Sequence, residues 1–285
     1  MRIPRFSPRG VGIGILTASA ILPLAATLRA DHQDFAIVSA SASKAYTQRK
    51  FVDGVPQRET YVFFQGKTFE GDTRDSSIDQ ASFTSLLKVL APDLARQNYY
   101  PADQAAADLL IVVNWGTTVV DPVTIAPSSD EGYRGSTMNM NSYLLGYHDA
   151  LQREGNMDWA TPGGMNAMEE THFAQLIDER YFVILLAYDY QKIRRDHEDY
   201  RRALREAAAR HQPPPRPPPQ PNPVWSVHMN MRAAGNNFAE ALPAMSQAAS
   251  AYFGRQEADL VDRPASVGSN ARVDVGETKV LNVVK

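Results

Sequence analysis

The segment 224–232 alternates without a break, with Trp225, Val227, Met229 and Met231 on one side and Ser226, His228, Asn230 and Arg232 on the other. Period two over that length describes a β-strand with one apolar face, and such a strand needs neighbours and a packed layer. Immediately upstream, residues 213–223 hold eight of the chain's 19 prolines. A tract of this kind is stiff polyproline that joins neither helix nor sheet. The chain must therefore enter a sheet strand straight from a segment that can belong to no regular layer.

The remaining elements follow from periodicity. Phe35 to Tyr46 and Glu59 to Phe69 read as two strands, and Asp53-Gly54 between them predicts a β-hairpin. Ser77 is the expected cap of a helix with Ile78, Phe83, Leu86, Leu87, Leu90 and Leu94 on its apolar face, bent near its end by Pro92. The run Leu109-Leu110-Ile111-Val112-Val113 predicts a strand buried on both faces at the centre of a sheet, with Asn114 and Trp115 toward its end and a polar loop over 121–138. Met140, Tyr143, Leu144, Tyr147 and Leu151 outline a helix stopped by Gly155, and Met165, Met168, Phe173, Leu176 and Ile177 outline a second. Residues 181–190 form a strand expected to pair antiparallel with 224–232. A final helix carries Phe238, Ala241, Leu242, Met245, Ala248, Ala249 and Tyr252, capped by Asn236 or Asn237, with Pro243 separating its first turn and Gly254 as its stop. Val280 to Val284 is read as a short edge strand or a loose tail.

Residues 191–211 carry seven basic and four acidic side chains, with opposite charges four apart at Arg194/Glu198, Arg195/Asp199, Glu198/Arg202, Arg202/Glu206 and Glu206/Arg210. That pattern belongs to a solvent-exposed, self-paired helix with a thin apolar stripe of Ile193, Tyr200 and Leu204. Helix and proline tract together form an arm extruded from a hairpin connection. The plainer reading of it is a solvated linker; the alternative is a spacer that reaches a partner, another envelope protein.

Residues 1–30 differ from the rest. Arg2, Arg5 and Arg9 precede an apolar run from Val11 to Thr27, and Leu28-Arg29-Ala30 closes it with a small residue. This is the layout of a secretory signal peptide cleaved after Ala30, and the run is too short to span a bilayer. The glycines at 10, 12 and 14 fall inside it and make no phosphate loop. Cleavage would remove four Arg and no acid, moving the formal charge from −3 to −7. An acidic mature chain has no general attraction for nucleic acid. No later apolar run is long enough for a transmembrane span. With no cysteine among 285 residues there is no disulfide, thiolate site or lipid-anchored Cys, so a core drawn from the 44% of hydrophobic residues must hold the fold.

The expected mature chain, 31–285, contains no nucleophile elbow, Walker loop, HExxH or EF-hand loop, and nothing in it calls for a cofactor. Two constellations remain. Ser226, His228, Asn230 and Arg232 form one row on a strand and, with Asp189 or Asn114 from adjacent strands, line a candidate surface; the plainer reading is the wet face of an antiparallel sheet. His148, Asp149, Glu170 and His172 are the best metal guess, against ordinary histidines. A hydrolase using His228 and Asp189, or a metal at His148 and His172, is the enzymatic alternative to a binding or structural role.

The segments ADLLIVVNWGTT (107–118), YFVILLAYDY (181–190) and VWSVHMNMRAAGNNFAEALPAMSQAASAYFG (224–254) resemble uncharacterised exported bacterial proteins of the periplasmic lipoprotein-like kind. The resemblance implies a small mixed sheet covered by helices and carries over no catalytic residues. The chain departs from it in having no lipobox Cys and in the long 191–223 insertion. The expected fold is α+β: one mixed, mainly antiparallel sheet in a single domain over 31–258, preceded by the leader 1–30 and followed by a tail, 259–285. The expected role is an exported, non-enzymatic protein of the cell envelope, its oligomeric state open.

Overall fold

Side chains of the central strands sort strictly to two faces, and each face has its own helical cover. The computed structural model describes residues 34–71, 75–119, 131–153 and 167–265, with backbone only for 131–136, 152–153 and 167–170. Strands β1 (Asp34–Ala42), β4 (Glu59–Phe69), β5 (Tyr99–Pro101), β6 (Leu109–Thr117), β7 (Arg180–Asp189), β8 (Trp225–Arg232) and β9 (Val261–Ala265) form one sheet in the order β5-β4-β6-β7-β8-β1-β9. Pairing is parallel for β4 with β5 and β6 and antiparallel elsewhere. The fold is α+β with a mixed, mostly antiparallel seven-stranded sheet. Among the described residues no helix is long and apolar enough to cross a membrane.

On the first face Val38, Ile111, Val113, Val183, Leu185, Val227 and Met229 are sealed by Leu86, Leu90 and Leu94 of α3 (Phe83–Ala95) and by Phe238, Ala241 and Met245 of α8 (Phe238–Ala249). On the second, Ile37, Phe182 and Ile184 pack against Met138, Leu144 and Leu145 of α4 (Glu131–Leu145), Leu151 of α5 (His148–Arg153) and Leu176 of α6 (Ala167–Ile177). Burial of a large apolar side chain contributes roughly 1.5–3 kcal/mol, so these two layers hold the sheet without a disulfide.

The predicted hairpin between the first two long strands does not form. Ser43 ends β1 and caps α1 (Lys44–Lys50), accepting from the Tyr46 amide, so 43–46 are not strand. Asp53 and Gly54 do make a turn, with φ of 52° and 79°, but it joins two-residue strands β2 (Phe51–Val52) and β3 (Val55–Pro56). The turn signal was local and correct; the partner of β1 is β8, set by faces that meet only in the complete sheet.

The helix expected from Ser77 is two helices. Asp75 caps α2 (Ser76–Asp79), Ser82 caps α3, and Pro92 lies within α3 without ending it. The helix expected over 140–151 breaks at Gly146 (φ 79°), where a Cβ would lie 2.7 Å from that of Ser39 and 2.8 Å from that of His228. Met140 and Tyr143, assigned to its apolar stripe, are exposed. Pro243 sits inside a continuous α8, capped by Asn237, and a 3-10 turn at Ser250–Tyr252 precedes Gly254. An edge strand is present at β9. Residues 131–138, expected in a polar loop, open α4 instead, because the helix starts at Glu131; the leader, residues 121–130 of that loop, Gly155 and the 280–284 segment lie outside the described residues.

The charged helix forms where its spacing placed it, although the described ion pairs are Lys192–Asp196 and Asp199–Arg202 rather than the five expected ones. Helix α7 (Tyr190–Ala209) starts directly from β7, capped by Asp189, and none of its residues is buried. Residues 212–223 are neither helix nor strand. Tyr190 N donates to Asp108 O and Val224 N to Ala187 O, so both ends are tied to the sheet. The helix measures about 30 Å at 1.5 Å per residue, and 11 residues of polyproline at 3.1 Å return over about 34 Å. The tract is therefore long enough to run back beside the helix, with little slack.

Candidate functional site

In sheets with parallel strands, ligand crevices open beyond the carboxyl ends of those strands. Here the β4–β6 parallel pair ends in a cleft of about 550 Å³ walled by Gln65 and residues 68–71, by Trp115 and Thr117, and by Ile78, Asp79 and residues 81–83. The pairing of β4 with β6 shifts register between Gln65 and Thr68, at the edge of this cleft. Asn114 accepts from the Lys67 amide at 2.8 Å and Thr117 Oγ1 from the Gly71 amide at 2.8 Å, fixing that wall. Gly66 fits because a Cβ would collide with the Asn114 side chain.

The opposite wall is positioned by Asp75. Its Oδ1 accepts from the Ser77 amide at 2.8 Å; its Oδ2 accepts from the Tyr181 hydroxyl at 2.7 Å and the Phe238 amide at 3.0 Å. These bonds, those to Ser77 foremost, hold the Asp75 carboxyl below its ordinary pKa despite partial burial. Phe83 stacks on Trp115 with centroids 6.1 Å apart and planes 16° apart. Trp115 is buried, leaving half-buried Phe83 as the aromatic surface of the cleft. Among the described lining residues the charged ones are Glu70 and Asp79, both exposed.

The sequence-predicted row on β8 lies elsewhere and is not a wet face. His228 and Asn230 are covered by α4: His228 Nδ1–H donates to Leu144 O at 3.0 Å and Asn230 Nδ2 donates to Leu145 O at 3.2 Å. The last carbonyls of a helix need donors from outside it, and these two strand residues supply them. Burial lowers the pKa of His228, with the Leu144 bond and Asp149 acting against it. Asn230 Oδ1 accepts from Arg180 Nε at 2.6 Å. Ser226 is half-buried, and exposed Arg232 pairs with Asp178 at 3.4 Å.

Asp189 is not beside His228. Ile184 is the cross-strand partner of His228, and Asp189 lies five residues further along β7, hence on the other face. Its carboxylate caps α7, accepting from the Lys192 amide at 2.7 Å. Asn114 shares the row of Ile184 and His228 but is spent on the Lys67 amide. His148 stacks on Tyr143 at 3.9 Å and His172 meets Tyr147 edge-on at 5.5 Å. The side chain of Glu170 is outside the described residues, and among those described no group of three His, Asp or Glu could hold a metal ion.

Sequence reasoning missed a buried polar cluster between α1, β4 and β5. Tyr46 donates its hydroxyl proton to Glu59, its hydroxyl lies 2.8 Å from that of Tyr99, and Arg49 reaches Glu59 Oε1 at 2.8 Å. Lys50 Nζ donates to Gln57 O at 2.5 Å. Burial pushes Lys50 down to about 8 and raises Glu59 against the opposing effects of Tyr46, Arg49 and Lys50. No local motif announces the cluster, because its members come from segments up to 53 residues apart.

No family model matches the chain, and no curated protein matches it. Solved structures similar to it include a PelC dodecamer from Paraburkholderia phytofirmans, 8% identical with a TM-score of 0.31, covering 78% of this chain and 99% of that one. A PDZ domain protein from Parabacteroides distasonis is 13% identical with a TM-score of 0.36, covering 81% of this chain and 38% of that one. A DUF4136 family protein from Bacteroides thetaiotaomicron is 11% identical with a TM-score of 0.31, covering 77% and 97%. At these values the chain is similar to bacterial proteins, one from a family of unknown function, and no activity, ligand or partner passes to it.

Proposed function

We propose that this is an exported, non-enzymatic binding module of the cell envelope, and that the α7 arm is its contact element. The observation that supports this reading is the arm itself: tied to adjacent strands at both ends, long, and without a buried residue. Folding of the sheet needs only a short β7–β8 connection, since antiparallel neighbours can be joined by two residues. The polar groups that suggested hydrolysis are engaged in structure, His228 at the end of α4 and Asp189 at the start of α7, on opposite faces of the sheet. Export rests on the tripartite pattern of residues 1–30.

Two experiments test this. Residues 191–223 are deleted with closure of the hairpin; the melting temperature is expected to stay within about 2 °C, a shift worth roughly 1 kcal/mol or less, while crosslinked envelope proteins disappear from a pull-down. Retention of the same captured proteins overturns the role of the arm. Mass spectrometry of the soluble protein from its own cells is expected to begin at Asp31, and an intact Met1 there overturns export.

A further inference from the structure

Charge on the arm is sorted along its length. Residues 190–199 hold three basic and three acidic side chains; residues 200–216 hold Arg201, Arg202, Arg205, Arg210 and Arg216 against Glu206 alone. All five arginines are exposed. The described ion pairs of the helix, Lys192–Asp196 and Asp199–Arg202, leave Arg201, Arg205, Arg210 and Arg216 outside them. The base of the arm is therefore neutral, and its far half is cationic in a chain whose remainder is strongly acidic.

The cleft at the end of β4 and β6 has complementary chemistry: an aromatic surface at Phe83, the carboxylates Glu70 and Asp79, and no basic residue among the described lining residues. A guanidinium both stacks on aromatic faces and pairs with carboxylates, so arginine side chains suit such a cleft. Arm and cleft lie at opposite ends of the sheet. The arm leaves β7 beside Leu109, at the start of β6, whereas the cleft opens at Trp115 and Thr117, at its end. Eight residue steps of strand separate them by roughly 26 Å.

We propose, resting on the arm's reading as a contact element, that its partner is a second copy of this chain: the cationic half of one arm enters the acidic cleft of the next molecule. Such a contact is heterologous, joining two different surfaces, and it propagates head to tail until it closes into a ring or continues as a filament.

Sedimentation velocity tests this on the protein purified from its own cells. Concentration-dependent oligomers are expected at low salt, with at least about a tenfold weakening at high salt, where exposed charges are screened. The triple variant R201E/R202E/R205E and the double variant E70R/D79R are each expected to be monomeric with wild-type melting curves, and an equimolar mixture of the two to associate again. A wild-type protein that stays monomeric at low salt overturns the proposal, as does a cleft variant that assembles like wild type. A monomer that binds anionic vesicles, or an envelope protein through its arm, also overturns it while leaving the arm's role as a contact element intact. Loss of that role is read separately, from the deletion of 191–223.

Discussion

The Lys50 ammonium lies 3.5 Å from the centroid of the Tyr99 ring, and the lysine has no exposed surface. The ring face, the Gln57 carbonyl and Glu59, 3.9 Å away, replace its water. They do so incompletely, since its folded pKa is lowered to about 8 from the 10.5 of a free lysine.

Between those two values the unfolded chain holds a proton that the folded chain has lost, so stability rises with pH. Above about pH 10 the raised Tyr46 and Tyr99 act oppositely, because unfolded tyrosines then ionise and folded ones do not. Urea denaturation is expected to show a midpoint that climbs from pH 8 to about 9.5, and Lys50→Met to flatten that climb. A midpoint equally flat in both proteins would refute it.

His228 sets the acid side. Its folded pKa lies below the unfolded value of 6.5, so its contribution is complete above that value and is lost as pH falls below it, where only the unfolded ring is protonated. The slope contributed by one such group is at most about 1.4 kcal/mol per pH unit. Comparing wild type with His228→Asn between pH 7 and 5 should show a shallower loss in the variant, which starts less stable because the Leu144 carbonyl loses its donor. Equal slopes would count against the assignment.

Asp75 joins α2, β7 and the start of α8 through one carboxylate. Replacing it with Ala should cost about 2–4 kcal/mol, as expected when several bonds to a charged acceptor are lost together. Asp75→Asn keeps the shape but loses the charge and should fall between the two. Chemical denaturation of the three proteins decides it, and an Ala variant within about 0.5 kcal/mol of wild type, the range of ordinary surface changes, would remove Asp75 from this role.

Gly146 tests the packing of α4 on the sheet. Its φ of 79° disfavours any side chain, and a Cβ there would press on Ser39 and His228. Left-handed backbone alone costs roughly 1–2 kcal/mol for a non-glycine residue. Gly146→Ala should exceed that and should also perturb the imidazole resonances of His228, which a purely local backbone effect would leave in place.

How far the sequence could be read depends on the range over which each signal acts. The alternation of Trp225 to Met231 and the branched run of Leu109 to Val113 announced strands correctly, because side-chain period and branching are properties of a few consecutive residues. Of the strand neighbours only the antiparallel pairing of β7 with β8 was legible: Asp53-Gly54 pointed to a hairpin, but β1 pairs with β8, about 190 residues away. His228 and Asn230 were misread as solvated because polarity normally marks a wet face, whereas here it marks two carbonyls at the end of α4. The cleft left no motif, being formed where β4, β6 and α3 happen to converge. The helix of the arm was legible, since charge at helical spacing needs no tertiary context, but its ion pairs were not: the described ones are Lys192–Asp196 and Asp199–Arg202.

The position of β1 in the sheet also bears on timing. Its two neighbours are β8 and β9, beginning at Trp225 and Val261. A ribosome releasing the chain from its amino end produces β1 first and the strands that flank it last. Until then Ala36, Val38 and Ala40 have nothing to close against, and a loop of almost the whole domain must be shut in one step. Contacts of such long range slow folding, so β1 is expected to find its place in the sheet only once β8 is present.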